Sequence, residues 1–357
     1  MRDGIMIGHM VKSPVSNVKK MPLAADSRPR MRDVAERAGV SAMTVSRALR
    51  DPSLTTPDTQ RRIERAMREM QYVPNALASG LRTAGRGKVV ASIVPSLRNS
   101  LFAETNQGLS DALRERGVNL MLGDSHTSQQ ESVDLVMAFL AQRPCGIVLH
   151  EAVSSPRMRR LLKQSGIPVV EVGDLNPRPL DAVVSYSNHD AAKAMTQHLI
   201  AKGYRRIGFA SLSLAVTARA GARLAGYQDA LTGAGMPVDA KLMVETRSGF
   251  EGGASALVQL VESGADAIFF SGDVLAIGAM LECARRGWKV PGRVAIVGFD
   301  DLEMAAQVNP PLTTLKLPRY EIGRRAAQII LDRNDGRKRP PREVIDLGFH
   351  IIERQSA

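Results

Sequence analysis

The sequence predicts an α/β protein in which an N-terminal all-α head precedes a two-lobed, doubly wound core. Three observations lead there. Residues 31–70 carry helical periodicity, interrupted at Gly39-Val40 and at Asp51-Pro52. Beyond Lys88, short β-rich runs alternate with amphipathic helical stretches, the pattern of a parallel sheet covered by helices. The segment KGYRRIGFA near residue 205 then restarts the pattern that GKVVASIV began, dividing more strands than one sheet usually carries into two lobes.

Element by element, residues 1–28 mix Gly, Pro, Ser, Lys and Met without periodicity. They read as a disordered arm, or as translation from an early start codon, since Met21 and Met31 lie downstream. Residues 29–73 form the head. Val34, Ala35 and Ala38 line one face of a first helix, and Gly39 can take the left-handed conformation that ends it. Ser41 is a suitable N-cap for a second helix, in which Val45, Ala48 and Leu49 point inward while Met43, Thr44, Ser46, Arg47 and Arg50 face out. Two helices so closely joined need a third to close a core. TPDTQRRIERAMREMQY supplies it, with Pro57 near the start and Ile63, Ala66, Met67 and Met70 as its apolar stripe. This is a helix-turn-helix module, whose second helix enters the DNA major groove.

Residues 74–87 read as a hinge helix and linker, bracketed by Pro74 and the Gly85/Gly87 pair, and residues 88–357 as the core. Strands are expected at 89–94, 120–122, 146–149, 168–172, 182–184, 207–210, 267–270 and 294–299. Helices are expected at 102–116, 130–142, 189–202, 222–234, 253–262 and 273–286.

Charge placement agrees with a DNA-binding head. Residues 1–88 hold 17 Lys and Arg against 8 Asp and Glu, a balance of +9, whereas the rest of the chain carries only +3. A basic front on a near-neutral body suits a polyanion, although a solvated basic face would give the same balance. No run of about 18 apolar residues is present to cross a membrane. The N-terminus lacks an apolar segment of the secretory kind, so a cytoplasmic protein is expected rather than an exported sugar-binding protein. Cys145 and Cys283 lack metal-ligand spacing and read as thiols in a reducing compartment. Among catalytic motifs, G-x-G-x-x-G after a strand, G-x-x-x-x-G-K-[ST], G-x-S-x-G and H-E-x-x-H are all missing; His150-Glu151 begins the last, but no second His follows. No catalytic group, metal or cofactor is expected.

MRDVAERAGVSAMTVSRALRDP followed by YVPNALASGLR resembles the lactose/galactose-repressor family of bacterial transcription regulators. FAETNQGL, ARLAGYQDAL, FFSGDVLAIGAMLECARRGWKVPGRVAIVGFDD and PPLTTLKLPRYEIGRRAAQIIL resemble the same family's effector-binding core, in the same order, over roughly Met31 to Phe349. The resemblance implies a periplasmic-binding-protein-like core and places Ala42, Met43 and Arg47 in base-reading positions. Arg47 suits a bidentate contact to guanine, with a phosphate contact or solvated charge as the alternative. Ala42 and Met43 can read only shape or a thymine methyl, Thr44 and Ser46 suit phosphates, and Ser41 belongs to the same DNA-binding set. In the implied hinge helix, Asn75 and Ala78 belong to the DNA-binding set and Leu81 is the wedge for the minor groove at the operator centre. Gly80 departs from the expected helix former and costs about 1 kcal/mol against alanine; it either weakens the hinge or lets two backbones approach.

For the core, the resemblance places Phe102, Glu151, Tyr186, Thr217, Arg219, Arg223, Phe250, Asp273 and Asp300 around an inter-lobe cleft. Arg219 and Arg223 share a helix face at four-residue spacing and suit a carboxylate or phosphate. Asp300 suits neighbouring sugar hydroxyls, and Phe102 or Phe250 an apolar face. Asp273 could equally be a helix cap, Tyr186 and Phe250 core aromatics, and Glu151 would repel an acidic ligand unless protonated or paired. Where many relatives have Asn before the Asp of that helix start, this chain has Gly272, so one amide donor is missing. SAMTVSR, GIPVVEV, LECARRGWKVP and VIDLGFHI are most similar to gluconate-operon repressors within the family. The resemblance therefore implies a repressor of sugar-acid catabolic genes, released from a pseudo-palindromic operator on double-stranded DNA by a gluconate-like effector. A corepressor-type regulator answering to a nucleobase or neutral sugar is the alternative. The chain ends soon after DLGFHIIERQSA, without heptads for a tetramer tail, so a homodimer is expected.

Overall fold

The computed structural model describes residues 29–74, 88–98, 101–214, 218–337 and 340–357. The arm of residues 1–28, the hinge positions Asn75, Ala78, Gly80 and Leu81, and the cleft position Thr217 lie outside the described residues. Contacts divide the chain into two compact units, one within Met1–Thr83 and the other within Ala84–Ala357.

The head holds α1 (Met31–Ala38), α2 (Ala42–Arg50) and α3 (Pro57–Glu69). Gly39 ends α1 at φ 64°, a conformation that costs glycine little. Arg62 of α3 then donates to the Ala38 carbonyl at 2.6 and 3.1 Å, satisfying a carbonyl that the helix end leaves free. Ser41 caps α2 by accepting from the Thr44 amide at 3.0 Å. Val34, Ala35, Ala38, Val45, Ala48, Ile63 and Ala66 form the core, with Met67 and Met70 packed at its edge. Most of these side chains are small, so the helices approach closely and each cap contributes visibly to a slim margin of stability.

The second unit begins with β1 (Val89–Val94), α4 (Leu101–Arg114), β2 (Asn119–Asp124), α5 (Gln129–Ala141), β3 (Gly146–Leu149), α6 (Pro156–Ser165), β4 (Val169–Glu171) and β5 (Ala182–Ser185). It crosses into a second lobe of α7 (Asn188–Ala201), β6 (Ile207–Leu212), α8 (Ala218–Gly233), β7 (Met243–Thr246), α9 (Phe250–Glu262), β8 (Ala267–Phe270), α10 (Asp273–Arg286) and β9 (Ala295–Val297). The chain closes with β10 (Thr314–Lys316), α11 (Arg319–Asn334), β11 (Glu343–Asp346) and β12 (His350–Ile352). One sheet has the order β11-β5-β4-β3-β1-β2 and the other β7-β6-β8-β9, both parallel throughout; β10 and β12 form an antiparallel ribbon. Because β11 returns to the first sheet, the chain passes between lobes three times: after β5, after β10, and between β11 and β12.

Parallel strands covered on both faces should be apolar throughout, and β3 (GIVL) and β8 (AIFF) are buried at every position. A continuous apolar cluster runs from Val90 and Leu109 in the first lobe through Tyr186 to Phe209, Phe269 and Phe299 in the second. Helix α11 lies directly on α4. A Cβ on Gly108 would fall 2.0 Å from the Tyr320 carbonyl oxygen, and one on Gly323 would fall 1.9 Å from that of Thr105. Only glycine permits this backbone contact.

Several elements depart from the periodicity reading. Helix α6 buries only Met158 and Leu162 of its ten residues, and the edge strand β7 buries only Val244, so neither carries a clear apolar pattern. Helix α8 starts at Ala218, four residues before the expected start at 222, and therefore includes Arg219 as well as Arg223. Among the described residues no helix is long and apolar enough to cross a membrane.

Candidate functional site

Two surfaces carry the chemistry that the sequence points to. On the head, α2 turns Met43 (53% exposed), Arg47 and Arg50 outward while Val45 and Ala48 are buried. Ala42, Thr44 and Ser46 are half-buried, flanking that exposed face. The Ser41 hydroxyl is engaged as the N-cap and lies 2.9 Å from the Thr44 hydroxyl. Both residues therefore shape the start of α2 from within, beyond the DNA contacts expected of them.

The second surface lies between the lobes, at the carboxyl ends of the strands, where doubly wound folds bind ligands. Arg219 projects from the first turn of α8 with its guanidinium 5.2 Å from the Phe102 ring centroid. Phe102 in turn meets the His150 ring edge-on at 5.2 Å. His150 follows β3 directly and is buried, with Nε2 lacking a hydrogen-bond partner. Burial, assisted by the nearby Arg219 charge, presses its pKa to about 3, so the ring is neutral at any physiological pH. Among the described residues no carboxylate forms an ion pair with Arg219. Glu151 is exposed; the protein around it still raises its carboxyl above the ordinary value, while Arg219 opposes that shift.

One helical turn further, Arg223 is almost wholly buried. Its Nε donates to Asn188 Oδ1 at 2.7 Å, Nη1 donates to the Ser271 carbonyl, and the guanidinium lies 3.6 Å from the Phe299 ring centroid. Burial lowers its pKa, opposed by Tyr186 and Asp300. Tyr186 is buried with its ring 6.2 Å from that of Phe299.

Asp300 completes the cluster. Its carbonyl accepts from Arg319 Nη1 at 2.6 Å and its Oδ1 from Arg319 Nη2 at 2.5 Å, while the buried Oδ2 has no partner. Burial raises the Asp300 carboxyl, against the charges of Arg319, Arg223 and Arg219. Burial works against the Arg319 charge, but Asp300, Tyr186, Glu104 and Asp273 together outweigh it and raise the guanidinium pKa. Asp300 stands at φ 132°, a region that side-chain-bearing residues rarely adopt and one that costs about 1–3 kcal/mol. The surrounding hydrogen bonds over-determine that conformation. A side chain on Gly272 would begin 3.5 Å from the unpartnered Oδ2. The amide donor missing at that position thus leaves this oxygen open to a hydrogen-bond donor from elsewhere.

Two expected cleft residues stand apart. Asp273 is wholly buried, and its oxygens accept from the Leu302 amide at 2.8 Å and the Thr314 hydroxyl at 2.6 Å. With both oxygens engaged inside the second lobe, it holds the loop that carries Asp300. Burial and the Asp300 charge push its pKa up to about 7. Phe250, first residue of α9, is 53% exposed and shares none of the ring contacts that link Phe102, Tyr186 and Phe299. Sequence reasoning missed Arg319, Asn188 and the cleft position of His150. Arg319 had a signal, because an arginine opening a helix opposes the helix dipole and calls for a carboxylate. No group of His, Cys, Asp and Glu among the described residues could hold a metal ion.

Comparison with known proteins adds the decisive observation. Residues 30–75 match the model of bacterial regulatory proteins of the lacI family, and residues 196–357 match that of the periplasmic binding protein-like domain. The HTH-type transcriptional regulator GntR of Pseudomonas aeruginosa is 36% identical over 92% of this chain and 96% of its own. The chain belongs to the LacI family. A LacI-family transcriptional regulator from Silicibacter pomeroyi superimposes with a TM-score of 0.85 at 31% identity, covering 92% of this chain and 99% of that one. The transcription regulator GntR from Chromobacterium violaceum does so with a TM-score of 0.70 at 36% identity, over 75% of this chain and 98% of that one. As a LacI-family member the chain is a DNA-binding transcriptional regulator.

Proposed function

We propose that the protein is a homodimeric repressor of sugar-acid catabolic genes, released from its operator by gluconate or a close aldonate. One observation carries the ligand class. Two guanidinium groups, Arg219 and Arg223, stand beside Asp300, whose carboxylate is already paired with Arg319, and Arg219 forms no ion pair among the described residues. The excess positive charge favours an anion, and a planar carboxylate fits a guanidinium fork. The open Asp300 Oδ2 can only accept while ionised, so it asks for a hydroxyl donor. A hydroxylated carboxylate meets both demands, whereas a neutral sugar or nucleobase would leave Arg219 without an ion pair. The GntR relatives support the same ligand class.

In this reading residues 29–73 read the operator, 74–87 form the hinge and 88–357 bind effector and dimerise. Two-fold symmetry in the protein requires a pseudo-palindromic operator. Effector moves the lobe equilibrium only by its difference in affinity for the two lobe arrangements, and that difference weakens operator binding.

Fluorescence anisotropy on DNA from the protein's own promoter region, with and without millimolar gluconate, tests the reading. A specific complex weakened by gluconate is expected. Arg219→Ala should weaken gluconate binding by about 10–100-fold, the loss of a hydrogen bond to a charged group, and leave ligand-free operator binding intact. Specific binding indifferent to gluconate and other aldonates would overturn the effector class.

A further inference from the structure

Two side chains that face the cleft from the second lobe are each held by the first residue of a helix leaving a crossover. Asn188 opens α7, three residues after β5 ends. Its Oδ1 accepts from Arg223 Nε at 2.7 Å. Its Nδ2 donates to the Gly173 carbonyl at 2.8 Å and to Asp174 Oδ1 at 2.9 Å, in the loop that follows β4 of the first lobe. Asn188 is completely buried, so no water stands in for these partners at the surface. Arg319 opens α11, three residues after β10 ends. It grips the carbonyl and carboxylate of Asp300 in the second lobe, and its Nη1 lies 3.8 Å from Glu104 on α4 of the first.

We propose that Asn188 and Arg319 are positioning residues that couple an effector at Arg223 and Asp300 to the angle between the lobes. The proposal rests on the effector reading above. Rotation of two lobes is absorbed at a few residues where the chain passes between them. A buried side chain rooted at such a residue, and bonded to a ligand-reading group, makes each geometry depend on the other. Asn188 does this for the first crossover and Arg319 for the second. Asp300 adds to the constraint, since its backbone at φ 132° holds only while its neighbours fix it. Neither Asn188 nor Arg319 needs to touch the effector.

The test uses the full-length chain and the variants Asn188→Ala, Arg319→Gln and Arg319→Lys. Operator affinity is measured without ligand and at saturating gluconate, gluconate affinity by calorimetry, and stability by thermal melting. Both Asn188→Ala and Arg319→Gln should still bind gluconate. The ratio of operator affinities without and with saturating gluconate should shrink by about 5-fold or more, within the range of ordinary coupling energies. Arg319→Lys, which keeps the charge but not the fork, should recover part of the ratio. Ligand-free operator affinity should also shift in both, because the same links set the resting lobe angle. A purely structural role would lower the melting temperature and leave the ratio at saturation unchanged. Wild-type ratios together with wild-type ligand-free operator affinity would overturn the proposal. If gluconate fails to bind the wild type, the effector class is wrong, and ligand-free operator affinity alone then decides the coupling: unchanged in both variants, it fails. Should Asn188→Ala not fold, Asn188→Ser and Arg319→Lys carry the same comparison.

Discussion

Replacing Asp273 with Asn should make the second unit progressively more stable than the wild type as pH rises. Burial and the Asp300 charge lift the Asp273 pKa from 3.8 to about 7. A carboxyl whose pKa is raised on folding is stabilised in its protonated form. That stability is full below 3.8 and is lost as pH rises through 7. Between pH 5.5 and 8 the wild type therefore loses about 2 kcal/mol through this one group. Asparagine does not titrate. Its oxygen can still accept from the Leu302 amide, and its NH2 can donate to the Thr314 hydroxyl oxygen, so both hydrogen bonds survive the exchange. Urea denaturation followed by the fluorescence of Trp288, the single tryptophan, reports on this lobe. The difference in stability between variant and wild type should grow by about 2 kcal/mol from pH 5.5 to pH 8. Histidines that titrate in this window are present in both proteins and cancel. A difference that does not change with pH would falsify the reasoning, since Asp273 would then be ionised throughout.

Two further outcomes test the scaffold and the DNA-reading face. Gly323→Ala places a methyl 1.9 Å from the Thr105 carbonyl oxygen and must push α11 off α4, costing about 1–3 kcal/mol; an unchanged melting temperature would mean the helices yield freely. Arg47→Ala removes an exposed side chain from α2 and should reduce specific operator affinity by about 1–3 kcal/mol while leaving head stability unchanged. Equal losses on operator and on unrelated DNA would show that Arg47 holds a phosphate instead.

Legibility in the sequence followed burial. The head was readable because Val34 and Ala38, Val45 and Ala48, and Ile63 and Ala66 are buried at helical spacing within their helices, and β3 and β8 because every residue in them is apolar and buried. Helix α6 escaped because its contact with the core is two side chains wide. Within the cleft, Arg219 and Arg223 were readable as a pair at helical spacing, but their different fates were not. Arg223 is committed to Asn188 and Ser271, whereas Arg219 rests on Phe102 without an acidic partner. Such differences depend on contacts made across the lobe boundary by residues far apart in the chain. Asn188 escaped notice for the same reason: its partners at 173, 174 and 223 come together only when both lobes are folded.

Net charge illustrates how the same boundary conceals function. The chain beyond residue 88 carries only +3, a balance that by itself suggests no anionic ligand. Much of that charge is cancelled locally, as where Arg333 meets Asp181, Arg354 meets Asp301 and Arg324 meets Glu115. At the cleft the cancellation fails, because Asp300 already serves Arg319 while Asp273 is buried towards protonation. What remains is Arg219, in reach of Glu151 but without an ion pair among the described residues, beside an Asp300 oxygen that lacks a donor. A ligand that answers both must bring its own carboxylate and its own hydroxyl, and at Asp300 it engages the residue that Arg319 ties to the second crossover.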